Sequence, residues 1–397
     1  MYMKLYDYYR TALAGQTLPA AFIDLDNLAL NLEQLRCRAA GLPIRLVTKS
    51  VRSLSIIRLA LAAGSFMRGL LCYSPVEAAW LSSEGFDDIV VAYPSVEPAD
   101  IRAVAVQLRS GRSITLMVDS ADQVDLLDAL AGKEKVVFPV AIDLDMSSNF
   151  PGLYFGVHRS PVREAATAVA LAAEISRRSG VRLDGLMGYE GQIAGLMDAE
   201  PGRRLKNRII CHLKHRSIRE VTQRRQRVVE ALAEAGYRLR FVNGGGTGSF
   251  ESTSGDTSVT ELAAGSGLYA PTLFDHYATF KALPAAGFAL PITRLPMPGI
   301  ATCSGGGYIA SGPAGKDRLP QPWLPSGCSL IEHEAAGEVQ TPVRYPPDVG
   351  FRTGDLVLFR HAKSGELCER FNHLLLIKDG RVVDRVTTYR GDGKNFF

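Results

Sequence analysis

The chain is predicted to be an α/β protein, a (β/α)8 TIM-type barrel followed by a C-terminal β-rich domain. Three observations carry this. Short apolar, β-branched runs alternate with helical runs eight times within about 230 residues, which implies parallel strands joined by crossover helices. No G-x-G-x-x-G follows the first strand, which disfavours an open doubly wound sheet. Past about residue 275 helical periodicity stops, Pro and Gly become frequent, and short β-like runs take over.

Residues 1–18 form a polar lead-in that could join the β-domain, residues 19–275 the barrel, and residues 276–397 the β-domain. The first strand is 20–26. Asp26 is the expected cap of helix 27–40, whose Leu28, Leu32 and Leu35 fall at helical spacing. Strand 44–50 carries Lys49 near its carboxyl end, and helix 54–63 follows. Strand 70–73 leads to helix 75–83, which opens on Pro75, and strand 89–93 to a helix around 101–108. Strands 115–118, 136–144 and 183–187 lead to helices 121–130, 161–178 and 205–235. Strand 239–243 ends the series in Gly244, Gly245 and Gly246. The later β-like runs are 300–303, 337–343, 356–359, 374–378 and 381–386.

Composition narrows the function classes. At 46% hydrophobic and 22% charged, the 397 residues can bury a sizeable core. A net charge of +4 is too mild for a nucleic-acid binder but suits an anionic small molecule. No apolar run is long enough to span a bilayer, and the first residues lack the apolar core of a signal peptide. The six cysteines include no C-x-x-C pair and read as reduced thiols, so a cytoplasmic protein with neither nucleic-acid nor membrane partners is expected. The basic run 203–227 reads as the solvated outside of a barrel helix, because no aromatic residues interleave it to stack bases.

The candidate chemistry lies at strand ends. A lysine at the carboxyl end of a barrel strand faces the loops where barrel enzymes keep their sites. Desolvation there favours the neutral amine that condenses with an aldehyde, so Lys49 is the candidate Schiff-base lysine for pyridoxal phosphate (PLP). Gly245, Gly246, Thr247 and Gly248, after the expected eighth strand, can offer amides and a hydroxyl to a phosphate. Gly265 and Ser266 form a second loop that could close over it. Tyr189 could line the ring pocket. Asp143, Asp145, Asn149, His158 and Arg159 could meet cofactor or substrate after strand six. His333, His361, Cys368 and His373 are metal-ligand types, although their spacing fits no standard closed zinc site.

Together these segments resemble the fold-type III PLP enzymes, most closely the D-threonine aldolase / D-serine dehydratase-like family, related to alanine racemase. Four features carry the resemblance: the x-x-x-D-L-D-x-L-x-x-N opening (Ala21 to Asn31), Lys49, the Y-x-G of Tyr189 and Gly191, and G-G-G-T-G (Gly244 to Gly248) followed by E-x-x-x-G-S (Glu261 to Ser266). It implies PLP held on Lys49, with Gly246, Thr247, Gly248, Gly265 and Ser266 gripping its phosphate. It implies a homodimer whose β-domains cover the barrel mouths. It further implies a small amino acid substrate, a β-hydroxy-α-amino acid split into glycine and an aldehyde. The alternatives are a dehydratase releasing ammonia, an amino acid racemase, and a non-catalytic PLP-binding protein. A divalent metal (zinc, manganese or magnesium) would sit on His361 and Cys368. Here the sequence departs from the family: Lys363 follows His361-Ala362, where relatives have His-x-Asp or His-x-Cys. The family's E-E-H-G segment is matched only loosely by Glu332, His333 and Glu334, and its arginine after strand six has no clean counterpart. Ala263 stands where alanine racemases place an arginine against the pyridine nitrogen; a racemase would also need a second base, for which Tyr269 and Tyr308 are the nearest tyrosines.

Overall fold

The computed structural model describes residues 2–313 and 315–397. Eight parallel strands close a barrel: Ile44–Val47, Met67–Cys72, Ile89–Val91, Ile114–Val118, Phe138–Asp143, Val181–Gly188, Phe241–Gly244 and Glu261–Ala264. The fold class is as expected, but the membership of the barrel is corrected at both ends. Ala20–Asp24 is not a barrel strand. It lies in the β-rich sheet, antiparallel to Ala286–Met297 and parallel to His373–Lys378. The Lys49 strand is therefore the first of the barrel. The eighth is Glu261–Ala264, which pairs with Phe241–Gly244 on one side and Ile44–Val47 on the other. All five residues of Ala20–Asp24 are buried, so local pattern could not separate this strand from a barrel strand.

The helices around the barrel are capped as their sequences dictate. Ser74 and Ser120 accept the amides of Glu77 and Gln123, and Pro75 and Pro98 stand in first turns. Helix Leu25–Arg38 starts earlier than expected, and its cap is Asp24, not Asp26, with Asp24 Oδ1 accepting the Asn27 amide at 2.9 Å. Within the lead-in Tyr2–Ala12 is a helix, and its Tyr9 donates to Asp24 Oδ2 at 2.7 Å in a small apolar core with Phe22, Leu324 and Leu358.

Inside the barrel, Leu71, Val90, Met117, Met187, Phe241 and Ala263 form a packed layer. Near the amino ends of the strands Arg45, 1% exposed, pairs with Glu261 at 2.7 Å and Asp88 at 3.3 Å. The nine-stranded sheet beside the barrel contains the five late β runs, extended by Ala286–Met297 and Gln321–Leu324. Helix Arg204–Glu234 is mostly solvated, as expected of the basic run, but three cations turn inward. Lys214 pairs with Asp198, Arg224 donates to the carbonyls of Asp145 and Ser147, and Arg225 is fully buried. No helix among the described residues is long and apolar enough to cross a membrane.

Candidate active site

The carboxyl ends of the barrel strands open into a cavity of about 780 Å3, walled on its far side by loops of the β-rich region. Lys49 sits in a short turn, Thr48–Ser50, directly after the first barrel strand, and lines this cavity. Its side chain is exposed to the cavity, not sunk among barrel residues. Its Nζ donates to the Tyr93 hydroxyl at 3.0 Å. Burial pushes the Tyr93 phenol up, but Lys49 and Arg159 outweigh it and hold the phenol below its ordinary value. The Arg159 guanidinium lies 5.3 Å from the ring centres of both Tyr93 and Tyr189. Burial pushes the Tyr189 phenol up to about 12.

Two glycine turns face Lys49. Gly245, at φ +78°, gives its amide to Glu190 Oε2 at 2.8 Å, and Gly246 gives its own to Ser249 Oγ at 3.1 Å. The Thr247 and Gly248 amides find no acceptor among the described residues. A Cβ on Gly248 would come within 2.3 Å of the Ala194 carbonyl oxygen, and one on Gly265 within 2.4 Å of the Val47 carbonyl oxygen. The two turns therefore approach their neighbours as only glycine can. Thr247, Gly265 and Ser266 line one side of the cavity as a cradle of free amides, with Gly246 beside them and Gly248 just behind the lining. That donor set fits the phosphate of PLP. Thr247 Oγ1 accepts the Gly267 amide at 3.1 Å and ties the two turns together. The apolar floor includes Leu71, Met187 and Ala263.

The proposed metal ligands behave differently. His361 is buried, with neither ring nitrogen hydrogen-bonded, and burial beside Arg360 lowers its pKa to about 3. Cys368 donates to the Val51 carbonyl at 3.3 Å, and burial pushes its thiol up to about 12. Among the described residues no three His, Cys, Asp or Glu side chains gather as a metal centre. His361 and Cys368 by themselves do not make such a centre, since the Cys368 thiol is engaged at the Val51 carbonyl. Lys363, half-buried, lines the cavity instead. His333 is exposed, and His373 is bound to Arg385 on the sheet.

Of the polar groups after strand Phe138–Asp143, only Arg159 lines the cavity. Asp143 is buried, and its carboxyl rises to about 7 through burial against the opposing pull of Arg159. Asp145 is paired with Arg163, Asn149 belongs to an exposed hairpin, and His158 stacks on Tyr154. Neither Tyr269 nor Tyr308 lines the cavity; the Tyr269 hydroxyl is held by the Val51 carbonyl. Tyr93, Arg318 and Lys363 also line the cavity; Lys363 stood out in the sequence only as a break in the metal motif. Tyr93 stands just past a barrel strand, the same positional signal that singled out Lys49.

Behind the Lys49 turn, buried Glu77 accepts the Tyr73 amide at 2.8 Å and the Tyr389 hydroxyl at 3.1 Å, and burial raises its carboxyl to about 7. A carboxyl raised in the folded state contributes most below its unfolded value and loses that contribution as pH rises through about 7. Glu77→Gln keeps the acceptor for Tyr73 and can donate to Tyr389. It is expected to melt a few degrees above the wild type at pH 8, with the advantage shrinking towards pH 5. A pH series of thermal melts checks this, and an advantage that grows on acidification would contradict it.

The alanine racemase N-terminal domain model matches residues 23–272. The 3-hydroxy-D-aspartate aldolase of Paracoccus denitrificans (strain Pd 1222) is 26% identical over 250 residues, 62% of this chain and 59% of that protein. The D-threonine aldolase of an Arthrobacter species is 26% identical over 256 residues, 64% and 61% of the two chains. The match thus spans about three fifths of these relatives' length. Among solved structures, D-threonine aldolase from Filomicrobium marinum superposes with a TM-score of 0.78 at 20% identity, covering 94% of this chain and 95% of that one. D-threo-3-hydroxyaspartate dehydratase from Delftia sp. HT23 gives 0.75 at 20%, covering 95% and 98%. At that identity the two structures establish a shared fold.

Proposed function

The chain belongs to the alanine racemase N-terminal domain family, and from that premise we propose that it is a PLP-dependent lyase cleaving a β-hydroxy-α-amino acid of the D series into glycine and an aldehyde. One observation carries the proposal: the Lys49 amine and the free amides of two glycine turns line a single cavity at the carboxyl ends of the barrel strands. The D-threonine and 3-hydroxy-D-aspartate aldolases among its relatives support the choice of reaction.

PLP, when bound, supplies the electron sink for the pair left at Cα as the Cα–Cβ bond opens. The rest is work for the chain. Lys49 Nζ would hold the cofactor through its aldehyde, and the Tyr93 hydroxyl at 3.0 Å orients that amine. Gly246, Thr247, Gly265 and Ser266 line the cavity and, with Gly248 behind them, would hold the phosphate, while Tyr189 and the apolar floor would bound the ring. Arg159 is the cation for the substrate α-carboxylate on the barrel wall. Lys49 and Tyr93, 3.0 Å apart, can take the β-hydroxyl proton and return one to Cα. The lowered phenol of Tyr93 suits it to share a proton with the amine.

The test is to incubate PLP-loaded protein with D-threonine, D-phenylserine and 3-hydroxy-D-aspartate and to measure carbonyl product, glycine and ammonia. Carbonyl product with equimolar glycine is expected. Ammonia with a keto acid would replace the aldolase reading by a dehydratase, and no product from any of the three would end the lyase assignment. A homodimer is expected by light scattering.

A further inference from the structure

Resting on the lyase reading, we propose that Lys363, Arg318 and Ser311 form an anion subsite for a second carboxylate on the substrate, so that the natural substrate class is β-hydroxy amino dicarboxylic acids and not neutral β-hydroxy amino acids. The three residues come from two loops of the β-rich region, after strands Ile300–Ser304 and Leu356–Arg360, and all line the Lys49 cavity. Lys363 Nζ lies 3.0 Å from Ser311 Oγ and has no carboxylate within ion-pair distance among the described residues. Arg318 gives Nη1 to exposed Asp317 at 2.8 Å and keeps a buried Nε without any partner. The Ser311 amide is fixed by Glu366 Oε1 at 2.9 Å, which holds the loop in place.

The charge balance of the cavity points the same way. Its lining acids are Glu369, bound to Arg52, and Glu366, the one acid facing Lys363. Against Glu366 stand Arg159 from the barrel and Arg318 and Lys363 from the β-rich region, with Lys49 besides. The substrate α-carboxylate would answer Arg159 and the glycine turns the cofactor phosphate, which leaves the partly buried Lys363 and Arg318 for a further anion that relieves their repulsion. A methyl group in that place would leave their donors facing nothing, a mismatch that polar subsites punish heavily.

The experiment compares kcat/KM for 3-hydroxy-D-aspartate and D-threonine in the wild type, Lys363→Met, Arg318→Met and Lys363→Arg. The wild type should prefer the dicarboxylic substrate by about 100-fold or more. Each Met variant should cut that ratio by roughly 100-fold, and Lys363→Arg should restore much of it. A second arm needs no turnover: malonate and acetate are titrated into the PLP-loaded protein and followed by thermal shift. Malonate should bind the wild type at least about tenfold more tightly than it binds Lys363→Met, with acetate indifferent. An unchanged substrate ratio, or malonate binding that ignores Lys363, overturns the subsite. If no β-hydroxy amino acid is cleaved, the lyase reading falls, and the malonate arm still decides whether the anion subsite exists.

Discussion

Lys49→Ala is expected to abolish the visible absorbance of the PLP-loaded protein and to lower carbonyl release by on the order of 10³-fold or more. The loss should be large because no other lysine shares its position. Lys363, the other lysine lining the cavity, is held 3.0 Å from Ser311 Oγ on a loop of the β-rich region. The glycine turns are untouched by the substitution, so the variant should still bind PLP through its phosphate, weakly and without the covalent link. Equilibrium dialysis separates these two effects. A Lys49→Ala protein that retains both the visible band and its turnover would place the covalent site elsewhere.

The second large effect is expected at Arg225, which never touches the cavity. This side chain is 1% exposed and pairs with Asp256 and Glu190, each at 2.7 Å, while donating to the Gly188 carbonyl at 3.1 Å. Glu190 in turn holds the Gly245 amide and the Thr253 hydroxyl, both at 2.8 Å. Arg225 therefore ties the end of strand Val181–Gly188 to the glycine turn after strand Phe241–Gly244. Arg225→Met would strand two buried carboxylates at a cost of about 3–5 kcal/mol. With the unfolding entropy of a chain this long, that corresponds to a Tm lower by roughly 5 °C. The turn it steadies should loosen, and PLP affinity should fall with it. A melt and a PLP titration check both; a Tm within a degree of the wild type and unchanged affinity would mean that the network neither stabilises the fold nor shapes the turn.

The network was not legible in the sequence. Arg225 stood among ten basic residues of one helical run, and the sensible reading of such a run is a solvated face. Which cation turns inward depends on which acids the barrel presents, and those come from residues 190 and 256. The same holds for Arg318 and Lys363, ordinary surface residue types until the cavity gathers them. Lys49 and the glycine turns were legible because their chemistry demands particular residue types. An amine that links to an aldehyde must be a lysine, and a backbone that passes within 2.4 Å of where a Cβ would collide must be glycine.

Sequence alone determined the alternation of strand and helix, hence the barrel, and the residue types at its mouth, because periodicity and steric demand act over a few residues. Tertiary structure alone decided that Ala20–Asp24 joins the β-sheet and that Glu261–Ala264 completes the barrel. It also separated His361 and Cys368 from any metal-binding cluster among the described residues and brought Lys363 into the cavity. Buried strands of four or five apolar residues look alike locally. Their partners are chosen by pairing across more than 200 residues of chain, and that pairing energy is not written in either segment by itself.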